Sequence, residues 1–206
     1  RRQPGSSFKP VIYAAAVEAK DITPSTVFTD EPATFADGYA PRNYDGKYSG
    51  EVIVREALKK SLNVVAVKIL DRTGYNGVFR FLKNSLFLSE SELKERFGRT
   101  LSLALGSYEI SPLENCVLHS VIVNGGSYLL PYGIRQVRDY NDNVVWNNEE
   151  EVLKTRDERR KETGTIIDPA ACAITVSMLQ SVFEEGGTAY GAARGSKIDF
   201  QIAGKT

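Results

Sequence analysis

Ser6 and Lys9 stand three residues apart in Pro4-Gly-Ser-Ser-Phe-Lys-Pro10. On one helical turn that spacing holds two Cβ atoms about 5–6 Å apart on a shared face, so the amine can reach the hydroxyl proton. A serine hydroxyl is a weak nucleophile until a base takes that proton, and a lysine serves when desolvation or a nearby cation lowers its pKa. The spacing alone is common. Ser91-Glu-Leu-Lys94 repeats it in a charged stretch and reads as surface helix. Context separates the two copies. Ser6 follows Pro4-Gly5, whose rigid and small residues let a substrate approach the backbone, and it stands at a helix start, where unpaired N–H groups favour developing negative charge. Pro10 disfavours helical geometry at Lys9 but is tolerated in a first turn, so the pair must sit at the start of a helix.

Two further elements follow along the chain. Ser61-Leu-Asn63 is the only Ser-x-Asn in the sequence, and Gly204-Lys205-Thr206 closes it. Each alone has an ordinary structural reading: a helix cap for Ser61, a cap or turn for Asn63, an exposed strand lysine for Lys205. In this order, after Ser-x-x-Lys, they match the three-motif set of penicillin-binding proteins and class A β-lactamases, with Leu62 where Asp is usual. Ser6, Lys9, Ser61, Asn63 and Lys205 are expected to converge, with Ser6 and Lys9 near hydrogen-bond reach.

The elements that must position these residues read as helices separated by polar loops. A first helix runs from Ser6 to about Lys20. Asp21 to Gly50 is a long loop rich in Gly, Pro, Asp and Tyr, a length that marks function or disorder. Glu51–Lys60 and Asn63–Arg72 read as two helices, with Gly74 as a C-cap and Ser61 and Asn63 at their junction. Tyr75–Leu82 and Ser91–Phe97 are short helices, and Ser111–Val123 is a stronger one ended by Gly125-Gly126. Tyr128–Arg138 and Val144–Trp146 flank the turn Asn141-Asp-Asn143 as a small hairpin. Glu149–Glu162 is a charge-dense, solvated surface stretch. Asp168 opens a helix that runs through Leu179 and Phe183 to Gly186-Gly187, and Ile198–Ala203 alternates as a half-buried strand leading into Lys205. The fold class is α+β and mainly helical.

Composition narrows the function classes. The chain has 206 residues, 42% hydrophobic and 25% charged, close to globular averages. Its 26 Lys plus Arg balance 26 Asp plus Glu, so no net field draws it to nucleic acid or an anionic membrane. The longest apolar run, Val11–Val17, is far short of the roughly 20 residues of a spanning helix. Cys116 and Cys172 form neither a Cys-x-x-Cys pair nor a disulfide framework. The single histidine, His119, reads as a packing or surface residue, so a protein-ligated metal is not expected. Gly204-Lys205-Thr206 suggests a phosphate-binding loop, but Asp199 stands where its first glycine is required.

Beyond the three motifs, Arg2-Gln-Pro-Gly-Ser-Ser-Phe-Lys-Pro10, Asn43-Tyr-Asp-Gly-Lys-Tyr-Ser-Gly50, Leu103-Ala-Leu-Gly-Ser107 with Ser111-Pro-Leu-Glu114, and Gly187-Thr-Ala189 resemble class A penicillin-binding proteins rather than class B ones. The whole chain resembles their transpeptidase domain, from the first motif into the third. The resemblance implies Ser6 as the acylated nucleophile and Lys9 as its base. Ser61 and Asn63 would relay protons and hold the substrate amide, and Gly204, Lys205 and Thr206 would help bind its carboxylate. It implies no cofactor, peptidoglycan stem peptides as substrates, β-lactams as covalent inhibitors, and a location on the outer face of the bacterial cytoplasmic membrane. The family's flanking sheet strands, the second oxyanion donor beyond the third motif, the glycosyltransferase domain and the membrane anchor are expected outside this sequence. On that reading 1–206 is one partial domain, acylated slowly by itself, with membrane contact only through the missing parts.

Two rivals keep the same serine and lysine. A hydrolytic β-lactamase would need the Glu-x-x-Leu-Asn pattern, but Lys59 stands at that glutamate's spacing before Leu62-Asn63. A β-lactam sensor that only binds would show slow deacylation and no transfer to an amine.

Overall fold

The computed structural model describes residues 1–36, 38–196 and 200–206. Lys9-Pro-Val-Ile-Tyr-Ala-Ala-Ala-Val-Glu18 forms helix α1, and every residue from Lys9 to Val17 is buried. A helix that is apolar on all sides has no solvent face to offer and belongs in the middle of a core. Four helices surround it: α3 (Asn63–Thr73), α4 (Asn76–Leu86), α6 (Pro112–Val123) and α8 (Pro169–Gln180). The Ser6–Lys9 motif therefore enters a helix that is buried along nearly its whole length.

Helix boundaries follow local chemistry. Ser111 accepts from the Glu114 N–H while Glu114 reaches back to the Ser111 N–H, a capping box that satisfies two otherwise unpaired donors. Asp168 accepts from the amides of Ala170 and Ala171 to open α8, with Pro169 in its first position. Gly74, at φ +76°, ends α3 in a conformation that L side chains rarely adopt. α5 (Glu90–Arg96) starts one residue earlier than expected, capped by Ser89 and Glu92. α4 runs four residues past Leu82, and the 3₁₀ turn Leu101–Leu105 and the short helix α9 (Tyr190–Arg194) form where no element was expected.

Three expectations need correction. Within the expected loop 21–50, Val27–Asp30 is strand β1, paired antiparallel with β2 (Gly50–Ile53), and α2 spans only Val54–Lys59. The β-branched run Val52-Ile-Val54 favours extended backbone, which removes Glu51–Ile53 from the expected helix. Secondly, the hairpin strand is β3 (Gln136–Arg138) rather than Tyr128–Arg138; it pairs with β4 (Val144–Asn147). Pro131 and Gly133 keep the preceding residues out of a ladder. Thirdly, residues 200–206 form no strand. No strand lies beside them among the described residues, and without a ladder the alternating pattern has nothing to pair with; the start of that expected strand, at Ile198, lies outside the described residues. Glu149–Thr163 is a helix, α7, with Val152 as its one buried residue, in keeping with a solvated stretch.

Candidate active site

Ser6 lies on a 3₁₀ turn, Gly5–Phe8, that leads directly into α1. Lys9 and Pro10 are the first two residues of that helix, where proline's missing N–H costs no hydrogen bond. The turn is clamped from behind. The Gly5 N–H donates to Gly106 O at 3.3 Å, and a Cβ on Gly106 would stand 2.3 Å from Gly5 O, so only glycine permits this approach. Its φ of +67° makes the same demand. From α6, Asn115 Nδ2 donates to Ser7 Oγ at 3.2 Å, and His119 Nε2 lies 2.8 Å from Ser7 O. His119 is thus a brace for the turn that carries Ser6. The turn of Ser6 is held by residues 100 and more positions away, which local sequence cannot report.

Ser61 occupies the junction between α2 and α3 with φ +59°, a left-handed backbone that a β-substituted residue adopts at a cost of order 1–2 kcal/mol. That strained geometry aims both of its oxygens at Lys9. Lys9 Nζ donates to Ser61 O at 2.6 Å, to Ser61 Oγ at 3.2 Å and to Asn63 Oδ1 at 2.7 Å. Ser61 Oγ in turn donates to Ser6 Oγ at 3.2 Å. All three ammonium donors are therefore used, and the expected contact between Ser6 and Lys9 runs through Ser61 rather than directly. Lys9 is fully buried. Burial, reinforced by the Lys205 ammonium, pulls its pKa from 10.5 to about 7.

The third motif borders the same space. Thr206 hydrogen-bonds Thr188 at 2.6 Å between hydroxyls, and the Gly204 N–H reaches Leu179 O at 3.4 Å. A Cβ on Gly204 would stand 3.2 Å from the Phe183 ring, so a side chain there would crowd Phe183, and Gly204 does not line the cavity. Lys205 donates to Thr206 O at 2.8 Å, and burial lowers its pKa to about 8. It acts on Lys9 through charge, and its hydrogen bonds among the described residues go to Thr206. Ser6, Ser61, Asn63, Tyr44, Thr188 and Thr206 line a cavity of about 670 Å³. A second cavity of about 600 Å³, between α4 and α5, contains none of the motif residues, and two of its cations, Arg80 and Lys83, are paired with Glu18 and Glu90.

An arrangement of this kind can activate a serine hydroxyl. A hydroxyl is linked through a second hydroxyl to a buried amine whose pKa lies near neutrality, the condition for general-base work. A family model of the penicillin binding protein transpeptidase domain matches residues 1–206. The chain belongs to that family. Penicillin-binding proteins 1A from Neisseria meningitidis are 35% identical over 211 residues that cover all of this chain and 25% of theirs. That of Aquifex aeolicus is 33% identical over 209 residues, again covering all of this chain and 26% of its own length. The chain thus spans about a quarter of the curated relatives it matches, and its transpeptidase domain is of the class A type. The crystal structure of penicillin-binding protein 1A from Haemophilus influenzae superposes with a TM-score of 0.78, at 26% identity, over 98% of this chain and 33% of that one. A penicillin-binding protein from Mycobacterium tuberculosis gives 0.74 at 20% identity, which shows the shared fold.

Set against this transpeptidase domain, two segments that the sequence marks only by resemblance acquire physical roles. Leu103–Ser107 carries the glycine behind the turn of Ser6, and Gly187–Ala189 supplies Thr188, which holds Thr206. A third, Asn43–Gly50, borders the cavity beside Asn63.

Proposed function

We propose that this chain performs the acyl-transfer step of a peptidoglycan D,D-transpeptidase, acting on the periplasmic side of the bacterial membrane, with Ser6 as nucleophile and Lys9 as general base. The observation that carries the reading is the hydrogen-bond line from Lys9 through Ser61 to Ser6. With Lys9 charged, the line runs from the ammonium to Ser61 Oγ and from Ser61 to Ser6. With Lys9 neutral, the two hydroxyls rotate and the line reverses: Ser6 donates to Ser61, and Ser61 to the amine. As Ser6 Oγ attacks the penultimate carbonyl of a stem peptide ending in D-Ala-D-Ala, its proton passes to Ser61 and that of Ser61 passes to Lys9. Collapse of the adduct expels D-alanine, which leaves with a proton from the relay, and an ester to Ser6 remains. An acceptor amine then attacks the ester, its proton returns through the relay, and a cross-link forms as Ser6 is released.

Asn63 would hold the substrate amide beside this line. Lys205 and Thr206 would receive the terminal carboxylate, for which a charged lysine and a hydroxyl are suited. Gly204 would hold their segment against Phe183. A β-lactam presents a strained amide and a carboxylate in a similar relation and would acylate Ser6 without release. The test is incubation with a stem pentapeptide and an acceptor amine, followed by mass spectrometry. A cross-linked product that requires Ser6 supports the reading. A stable penicillin adduct with no transfer to any amine would make the chain a sensor, and rapid release of hydrolysed penicillin would make it a β-lactamase.

A further inference from the structure

Helix α3 begins without a local cap. Its N-cap is Leu62, which has no side-chain acceptor, so the amides of Asn63 and Val64 need partners from elsewhere. Asn43, 20 residues earlier, supplies them: its Oδ1 accepts from the Asn63 N–H at 2.8 Å and the Val64 N–H at 3.3 Å. Its Nδ2 donates to both carboxylate oxygens of Asp30 at 2.9 Å and to Lys47 O at 2.9 Å. Every donor and acceptor of this amide is used, and a flipped amide would satisfy none of them. Asp30 is fully buried at the end of β1 and also accepts from the Ser49 N–H at 2.9 Å. The Asn63 side chain is clamped by the same loop, donating to Arg42 O at 2.9 Å while its oxygen receives Lys9.

We infer that Asp30 and Asn43 are positioning residues of the acyl-transfer site: they cap α3 from a distance and so fix Ser61 and Asn63 against Lys9. The inference rests on the reading of Ser6 as the acylated nucleophile. It assigns a purpose to the long segment between the first two motifs, because β1 and β2 hold its ends together and its middle, residues 42–49, closes over the start of α3. A buried carboxylate with three hydrogen bonds and no cation among them is an expensive device for a loop. It is economical only if something must be held still. The helix that it caps carries Asn63 and directly follows Ser61.

The experiment measures acylation by a fluorescent penicillin as a function of its concentration, in the protein that contains this chain, and separates the non-covalent dissociation constant from the first-order acylation constant. Asn43→Asp keeps the acceptor for α3 but sets a second carboxylate against Asp30. It should lower the first-order constant at least about tenfold, since sub-ångström misplacement of a catalytic group is costly, and move the dissociation constant by less than about threefold. Combining it with Asp30→Asn restores a donor–acceptor pair at that contact and should recover at least about threefold. Glu31→Gln, next to Asp30 but exposed and paired with Lys68, should change nothing. Rates are taken where each variant is folded by thermal melting, so a loss of stability alone leaves them unmoved. If Asn43→Asp acylates at the wild-type rate, the positioning role is overturned while the nucleophile stands. If the wild type itself gives no adduct on Ser6, the functional reading fails instead. Should no variant fold, hydrogen exchange of the wild type decides: the Asn63 and Val64 amides must be protected, and exchange at the rate of free first-turn amides overturns the inference.

Discussion

Ser6–Lys9 and Ser91–Lys94 carry the same residue types at the same spacing and end in opposite environments. Lys9 is fully buried, with its three donors on Ser61 and Asn63. Lys94 is exposed on α5, and the Ser91 hydroxyl shares its hydrogen bond with Ser89, at 3.0 Å. Spacing brings two side chains to one face. Chemistry follows only where the surroundings remove water from the amine and give the hydroxyl a relay partner. α1 does both because its apolar sequence places it at the centre of the core, whereas α5 has one buried residue, Leu93, and keeps its charges in water.

The sharpest way to break this comparison is to exchange the serines. Ser6→Ala should abolish the covalent penicillin adduct seen by intact-mass spectrometry, and Ser91→Ala should leave it unchanged; an adduct on a peptide that lacks Ser6 would refute the assignment. Loss of the bases should follow the same asymmetry. Lys9→Ala should slow acylation by about 10²–10⁴-fold, the usual contribution of a positioned general base, and Lys94→Ala should have no measurable effect.

The pH dependence sharpens the contrast further. Lys9 must be neutral to accept a proton, so the first-order acylation constant should rise with pH through about 7. Lys205 must be charged to attract a carboxylate, so binding should weaken above about 8. Lys205→Ala removes the cation that helps to depress Lys9, and the acidic limb should then move to higher pH. A limb that stays in place would mean that burial alone sets the base. Stability variants give the smallest effects. Ser89→Ala removes the cap of α5 and should cost about 1 kcal/mol in denaturant unfolding, with acylation unchanged. Ser91→Ala should stay within about 0.5 kcal/mol, as exposed substitutions do.

Much of the helical frame was legible locally. Ser111, Asp168 and Gly74 announce their helix ends through hydrogen bonds or backbone freedom within a few residues, so reading along the chain suffices. β1 and β2 were not legible in this way. Each is four residues long, and each is a strand only because the other lies beside it. The segment 200–206 shows the converse: with no strand beside it among the described residues, it forms no ladder. The motif residues were legible as a set, in their order along the chain. The brace by His119 and the cap by Asn43 were not, because both act across more than 15 residues on the backbone of another element.

The sequence by itself determined which side chains could react, that Ser6 had to stand at a helix start because Pro10 allows nothing else, and that α1 would be buried because it has no polar face. The tertiary structure decided which of two identical spacings became a site. It also decided that Ser61 stands between Ser6 and Lys9, and that a loop 20 residues away would cap the helix bearing Asn63. The physical reason is that reactivity depends on desolvation and on distances of about 3 Å between groups remote in the chain. Both are properties of packing, and neither is written in any single segment.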